Sequence, residues 1–130
     1  VVVFLIMLMP DRYGEVKIYF NIERERGNTW RIEAIPILIV PGSLKDARDN
    51  AFEIVDSVLK EYRFLKTDSR YYFLEPLQEN PSDCVRRIHK EMLHRREHFI
   101  KSGKYVSRIT IDIYREPTEE FLERMMKRYR

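Results

Sequence analysis

The sequence has very little cysteine, because Cys84 is the only one among 130 residues. A single thiol cannot form a disulfide within the chain, and it excludes an iron–sulfur cluster held by several cysteines. This usage predicts a reducing, cytoplasmic setting. The chain also lacks a Walker loop, a G-x-G-x-x-G fingerprint and a Ser-His-Asp order, so we expect no catalytic residues and predict that the protein is not an enzyme.

A large charge of one sign is missing as well. The formal net charge is +3, which is too small to demand a nucleic-acid partner. Charged residues make up 35% of the chain, and this mildly indicates a heat-adapted source. The opening run Val1 to Met9 is apolar but too short to span a bilayer, and it has no basic leader or A-x-A-type cleavage site. We therefore expect neither a membrane span nor a signal peptide.

The stretch from Trp30 to Tyr62 predicts a strand, a turn and a helix. Ile32 to Val40 is almost wholly apolar and rich in β-branched residues, as in a central strand buried on both faces. Pro41-Gly42-Ser43 stops this strand. The apolar residues that follow recur at helical period: Leu44, Ala47, Ala51, Phe52, Val55, Val58, Leu59 and Tyr62.

The flanking segments predict further strands and helices. Residues 1 to 22 are typical of a β-hairpin, because Val16 to Ile22 alternates between apolar and polar side chains after a turn cluster. The later elements, in chain order, are a second hairpin from Tyr62 to Leu74, a helix from Asp83 to Ser102 capped by Ser82 and ended by Gly103, a strand from Lys104 to Tyr114, and a helix that starts at Pro117.

This order predicts an α+β fold of the ferredoxin-like type, in which a βαββαβ unit forms an antiparallel sheet with two helices on one face. We expect one domain over residues 1–130. It would comprise an extra N-terminal β-hairpin (1–28), the ferredoxin-like core (29–115) and a C-terminal helix (116–130). The second sheet face would then be covered by another subunit.

The second helix carries most of the positive charge. Residues 82 to 104 hold seven basic side chains against three acidic ones: Arg86, Arg87, Lys90, Arg95, Arg96, Lys101 and Lys104 against Asp83, Glu91 and Glu97. The cluster is typical of an RNA or polyanion surface, or of a solvated helix face with Glu91 and Arg95 paired one turn apart. No RNP-type motif or GXXG loop supports nucleic acid.

Three other features have weak chemical meaning. His94 and His98 are spaced to share a metal, but no third ligand is evident and we predict no metal site. Cys84 sits at a helix start, where a thiol pKa can fall, but it has no assignable partner. Tyr71-Tyr72-Phe73 is suited to stacking on a planar ring and is equally an ordinary strand sequence.

Three stretches between Ile32 and Tyr114 carry a family pattern. Pro41-Gly42-Ser43-Leu44 ends a strand before an amphipathic helix, and the hairpin from Arg63 ends in an apolar strand and Glu75. Lys101-Ser102-Gly103-Lys104 leads into the strand Tyr105 to Asp112, close to a V-x-T-x-I-K-I-D type. Together these stretches resemble the small YkoF-like thiamine-binding family.

The resemblance implies a cytoplasmic, non-enzymatic homodimer or homotetramer built by sheet pairing, with no resident cofactor. It also implies a pocket for thiamine or a similar cationic heteroaromatic. Such a ring is recognised by aromatic stacking, by a carboxylate and by a turn of small residues. The residues expected to bind are Pro41, Gly42, Ser43, Tyr72, Glu75 and Arg108. Two alternatives stay open: an RNA- or polyanion-binding module, and a purely structural oligomer subunit.

Overall fold

The computed structural model describes residues 12 to 115, which form a five-stranded sheet and two helices. The elements in chain order are β1 (Glu15–Arg26), β2 (Thr29–Val40), α1 (Lys45–Glu61), β3 (Leu65–Thr67), β4 (Arg70–Pro76), α2 (Pro81–Lys101) and β5 (Arg108–Arg115). Residues 1 to 11 of the hairpin predicted over residues 1 to 22, and the helix predicted from Pro117, lie outside the described residues. For the described part of the chain, an α+β fold is confirmed.

The position of β1 differs from the prediction. The strand order is β3-β4-β2-β1-β5, so β1 lies between β2 and β5, which a ferredoxin-like sheet would place side by side. β1 runs antiparallel to β2 and parallel to β5, so the expected all-antiparallel sheet was wrong. β1 forms its hairpin with β2 across the turn Gly27-Asn28. It is therefore an inner strand of the sheet rather than part of an extension that ends at residue 28.

The inner position of β1 in the sheet follows from its alternating apolar face. Val16, Ile18, Phe20 and Ile22 are between 0% and 2% exposed. A strand that buries one whole face needs the helical layer above it, and a central place in the sheet provides this. The helices complete the core with Ala47, Ala51, Ile54, Val55, Val58, Leu59, Val85, Ile88 and Met92. Phe52, which we expected in the core, is exposed.

The helix ends follow local chemistry. The predicted cap Ser82 is wrong, because α2 starts at Pro81 and the Asn80 side chain accepts the Ser82 amide at 2.9 Å. The predicted end at Gly103 is confirmed, with φ +89° and its amide donating to the Ile100 carbonyl. At the end of α1 the same left-handed position is held by Arg63, with φ +68°. Between residues 12 and 115, neither helix combines the length and hydropathy needed to cross a membrane.

The sheet has a second face that neither helix covers. On β2 this face carries Ile37 and Ile39, which are 44% and 38% exposed. β2 is the central strand, as predicted, but the described residues do not bury it on both faces. We call this surface, made by the outward residues of all five strands, the open face.

Candidate functional site

Two turns interlock at the end of the sheet where β1 and β5 begin and β2 ends. Gly42 has φ +67°, and a Cβ placed on it would lie 2.7 Å from the Gly14 amide nitrogen. The Ser43 and Leu44 amides both donate to the Arg12 carbonyl at 3.1 Å. The turn around Gly42, which we expected to bind a ligand, is therefore packed against another part of the chain. This packing fixes the backbone around Tyr13.

The segment between α2 and β5 forms the next part of this end. We expected a strand from Lys104, but β5 begins only at Arg108. The intervening chain is tied to α1 instead, because the Asn50 side chain donates to the Tyr105 carbonyl at 2.9 Å and the Ser107 amide donates to the Ala47 carbonyl at 3.1 Å. These bonds leave the Tyr105 ring 52% exposed and hold its backbone in place.

Arg96 of α2 supports the same segment from the other side. Its Nε donates to the Ser107 carbonyl at 3.0 Å and its Nη2 to the Val106 carbonyl at 3.1 Å. The Ser107 hydroxyl in turn donates to the Tyr13 carbonyl. Burial, and to a lesser degree the positive charge of Arg108, lower the pKa of the Arg96 guanidinium. Arg96 thus holds a half-buried positive charge that no carboxylate among the described residues pairs with.

These pieces enclose a pocket of about 480 Å³. Its walls include the side chains of Tyr13, Arg96, Ile100, Lys104 and Tyr105. The two tyrosine rings lie 5.8 Å apart between centroids and are tilted by 42°. The described lining residues carry two positive charges and no acidic group. We call this site the Tyr13–Tyr105 pocket.

No family model matches this chain, and no curated protein or solved structure is significantly similar to it. The resemblance to the thiamine-binding family stays a prediction. What the site can bind follows from its own side chains.

The structure separates the six residues that we expected to bind a ligand. Pro41, Gly42, Ser43 and Arg108 lie at the end of the sheet described above, where the Arg108 amide donates to the Gly14 carbonyl at 3.0 Å. Tyr72 and Glu75 lie on β4. Tyr72 pairs in register with Glu33, which is seven residues from Val40 (40 − 33), or roughly 23 Å along the strand. One protomer therefore does not bring the six residues into one pocket.

Tyr72 and Glu75 also point to opposite sides of the sheet. Tyr72 lies on the open face, where it hydrogen-bonds Glu33. Burial pushes the Glu33 pKa up, but hydrogen bonds from Asn21 and Tyr72 and the nearby Arg70 outweigh it and leave that pKa lowered. Glu75 lies on the helix side and pairs with Arg63 at 3.5 Å. Both residues thus have partners within the sheet and its turns.

Three of the seven basic residues between 82 and 104 pair with acids. Arg86 pairs with Asp83 at 3.5 Å and Arg87 with Glu79 at 2.6 Å. Arg95 pairs with Glu61 and, at 3.2 Å, with Glu91, which confirms the predicted pair one turn apart. Such pairing lowers the positive potential that a polyanion would meet, so the geometry favours a solvated, ion-paired helix face.

The histidines and the cysteine have structural surroundings. The Nε2 atom of His89 lies 2.7 Å from the Ile109 carbonyl and links α2 to β5. The His94 and His98 rings are 4.8 Å apart, but residues 12 to 115 contain no group of three metal-binding side chains. Burial, followed by the charge of Glu79, raises the pKa of the Cys84 thiol, so its position at the helix start does not activate it.

Sequence reasoning assigned neither Tyr13 nor Tyr105 to a binding site. It placed Arg96 and Lys104 in a candidate polyanion surface on the second helix rather than in this pocket. Tyr13 and Lys104 each neighbour a glycine with positive φ, which is a weak signal for a turn that exposes its neighbours. That signal cannot show that the two turns meet. They meet only because β1 pairs with β5, and this pairing was not predicted.

Proposed function

We propose that this protein is a non-catalytic binding protein that works as a homo-oligomer. It holds a small planar molecule in the Tyr13–Tyr105 pocket. The observation that carries the proposal is the pocket itself. Its volume of about 480 Å³ falls in the range of small-molecule sites, which is roughly 300–1,000 Å³. Exposed aromatic rings and a few convergent polar groups line it, as in such sites generally.

The non-catalytic part of the proposal rests on the residue types in the pocket. General acid–base chemistry at neutral pH is best served by a group whose pKa lies near the working pH. The described side chains in the walls are those of tyrosine, arginine, lysine, isoleucine and valine, with no carboxylate or histidine among them. These groups can stack on a ring, donate hydrogen bonds and attract charge. Binding accounts for the whole set.

The proposal that the protein forms a homo-oligomer depends on the open face. Ile37 and Ile39 expose apolar surface in the middle of the sheet, where a second protomer would cover it. The same proposal treats β2 to β5 as a ferredoxin-like unit into whose sheet β1 is inserted. A thiamine-like heteroaromatic suits the aromatic part of the pocket, since its ring can stack on Tyr105.

The two alternatives have less support. An RNA-binding role would need the arginines of α2 to face solvent without partners, but Arg86, Arg87 and Arg95 each pair with an acid. A purely structural subunit has the open face in its favour. It accounts for Arg96, which holds the Val106 and Ser107 carbonyls, but it gives no reason for Lys104 and two tyrosine rings to line a pocket with that arginine.

The experiment is a calorimetric titration of the full chain with thiamine and with thiamine diphosphate, up to millimolar concentration. We expect heat of binding with at least one of them, and a loss of that heat in Tyr105→Leu. The control is Glu75→Gln, because Glu75 lies on β4 beside Arg63 and outside the pocket. Absence of binding heat with both molecules would contradict the proposal.

A further inference from the structure

The Tyr13–Tyr105 pocket has a one-sided charge. Two nitrogen atoms of Arg96 donate hydrogen bonds to backbone carbonyls, and the side chain has no carboxylate partner among the described residues. Lys104 lines the same pocket, with its Nζ 4.7 Å from the centre of the Phe99 ring. A half-buried arginine and a lysine that line the same pocket, with no acid among the described lining residues, form a positive site.

Besides the Phe99 ring, which attracts the Lys104 ammonium, two nearby features could compensate this charge, and neither does so fully. The C-terminus of α2 carries the equivalent of about half a negative charge. Its last carbonyls, however, accept the amides of Ser102, Gly103 and Lys104, and two full positive charges exceed that half charge. Glu15 lies close to this end, but it pairs with Arg108 at 3.7 Å and accepts the Thr110 hydroxyl at 2.8 Å.

We infer that the ligand is a planar molecule that carries an anionic group, a phosphate or a carboxylate, which binds between Arg96 and Lys104 while its ring stacks on Tyr105. This inference rests on the proposed function and narrows it. It disfavours unmodified thiamine, whose ring is positively charged, and favours the phosphorylated form of the same ring. Arginine and lysine are the residues that recognise phosphate and carboxylate.

The site is built before any ligand arrives. The Tyr105 backbone is fixed by Asn50, and the neighbouring Val106 and Ser107 carbonyls are fixed by Arg96. A ligand that meets a rigid wall loses less free energy in ordering the protein than one that meets a mobile loop. Lys104 and Tyr105 are themselves exposed. They can therefore be substituted with little effect on folding, whereas Arg96 cannot.

The test uses two pairs of molecules that share a ring and differ by phosphate: thiamine with thiamine diphosphate, and adenosine with adenosine monophosphate. Inorganic diphosphate serves as the anion without a ring. Dissociation constants are measured by calorimetry for the full chain, Lys104→Met, Tyr105→Leu and Lys101→Met. The last variant is the matched control, because Lys101 is an exposed lysine on the same helix end but outside the pocket wall.

We expect the phosphorylated member to bind at least about tenfold more tightly than its partner, and we expect Lys104→Met and Tyr105→Leu each to weaken it by about tenfold. Lys101→Met should change nothing. If thiamine and adenosine bind as tightly as their phosphorylated partners, or more tightly, the inference of an anionic group is overturned. The proposed function would then still stand. Binding of no member of either pair would overturn both. Diphosphate binding as tightly as thiamine diphosphate, or equal effects of Lys101→Met and Lys104→Met, would also overturn the inference.

Discussion

Gly42 packs backbone to backbone against Gly14, so closely that a Cβ on Gly42 would lie 2.7 Å from the Gly14 nitrogen. This contact joins the turn before β1 to the turn after β2. Because Tyr13 directly precedes Gly14, the contact also sets one wall of the Tyr13–Tyr105 pocket. The glycine that we expected to admit a ligand instead positions the tyrosine that faces one.

Gly42→Ala should be strongly destabilising. The new Cβ would lie 2.7 Å from the Gly14 nitrogen and 2.8 Å from the Tyr13 carbonyl carbon, and it would add the strain of a left-handed backbone. We expect a loss of at least about 2 kcal/mol in the free energy of unfolding. Gly27→Ala is the matched control, because Gly27 has φ +58° but nothing within 4 Å of its added Cβ. Urea unfolding of both variants should show the larger loss for Gly42→Ala, and equal losses would contradict the packing argument.

Tyr71→Phe should reduce stability at neutral pH and matter less in acid. The Tyr71 hydroxyl donates to Asp56 Oδ1 at 2.6 Å, and this bond, with help from Lys60 and Lys66, lowers the Asp56 pKa. A group with a lowered folded pKa contributes stability above its unfolded value and loses it as pH falls through the folded value. We expect a deficit of roughly 2 kcal/mol at pH 7 that narrows below about pH 4.

The control for this prediction is Tyr114→Phe. The Tyr114 ring stacks on Tyr19 on the open face, with 6.1 Å between the ring centroids. Tyr114→Phe therefore removes the same hydroxyl group at a site away from Asp56. Its effect on unfolding should not vary with pH between 3 and 7 in the way expected for Tyr71→Phe. A deficit for Tyr71→Phe that stays constant across this range would show that the hydrogen bond does not act through the charge of Asp56.

Arg63→Gly should stabilise the protein. Arg63 has φ +68° after the end of α1, where its amide donates to the Lys60 carbonyl at 3.0 Å. Glycine adopts this conformation without the penalty of about 1 kcal/mol that a side chain brings. The change also removes the exposed ion pair with Glu75, which contributes little. Glu75→Gln is the control, because it removes only the ion pair. We expect a higher melting temperature in Arg63→Gly but not in Glu75→Gln. A lower melting temperature in Arg63→Gly would contradict this prediction.

Ile37→Lys should shift the assembly towards monomers. Ile37 lies 44% exposed on the open face, where a charge would meet the second protomer. Leu93→Lys places the same charge on α2, at a position that is 40% exposed on the helical side. Light scattering at micromolar concentration should show a mass above the 15.9 kDa of one chain for the wild type and for Leu93→Lys. A monomeric wild type would rule out the oligomer.

Much of the fold could be predicted because apolar spacing is a local signal. The alternation from Val16 to Ile22 and the helical period from Ala47 to Leu59 are both read within a few residues. The place of β1 in the sheet could not be predicted in this way. It depends on pairing with β5, more than ninety residues away, whose own alternation is compatible with several neighbours.

The candidate site was harder for the same reason. Gly42 was expected to lie against a ligand, but spacing along the chain does not show that the backbone of Gly14 approaches it instead. Tyr72 and Glu75 are close in sequence, yet alternation on β4 sends them to opposite faces. Tyr13 and Tyr105 are far apart in sequence and meet because two turns are held together by Ser107.

The most direct test of the pocket is to map the ligand by amide chemical shifts. Thiamine diphosphate is added to the ¹⁵N-labelled full chain, and the four glycine amides serve as reporters. We expect the largest glycine shift at Gly103, which lines the pocket, and little change at Gly27, in the hairpin turn at the other end of β1. Shifts that centre on Gly27 and on the Tyr72 to Glu75 part of β4, with Gly103 and Tyr105 unchanged, would contradict the account.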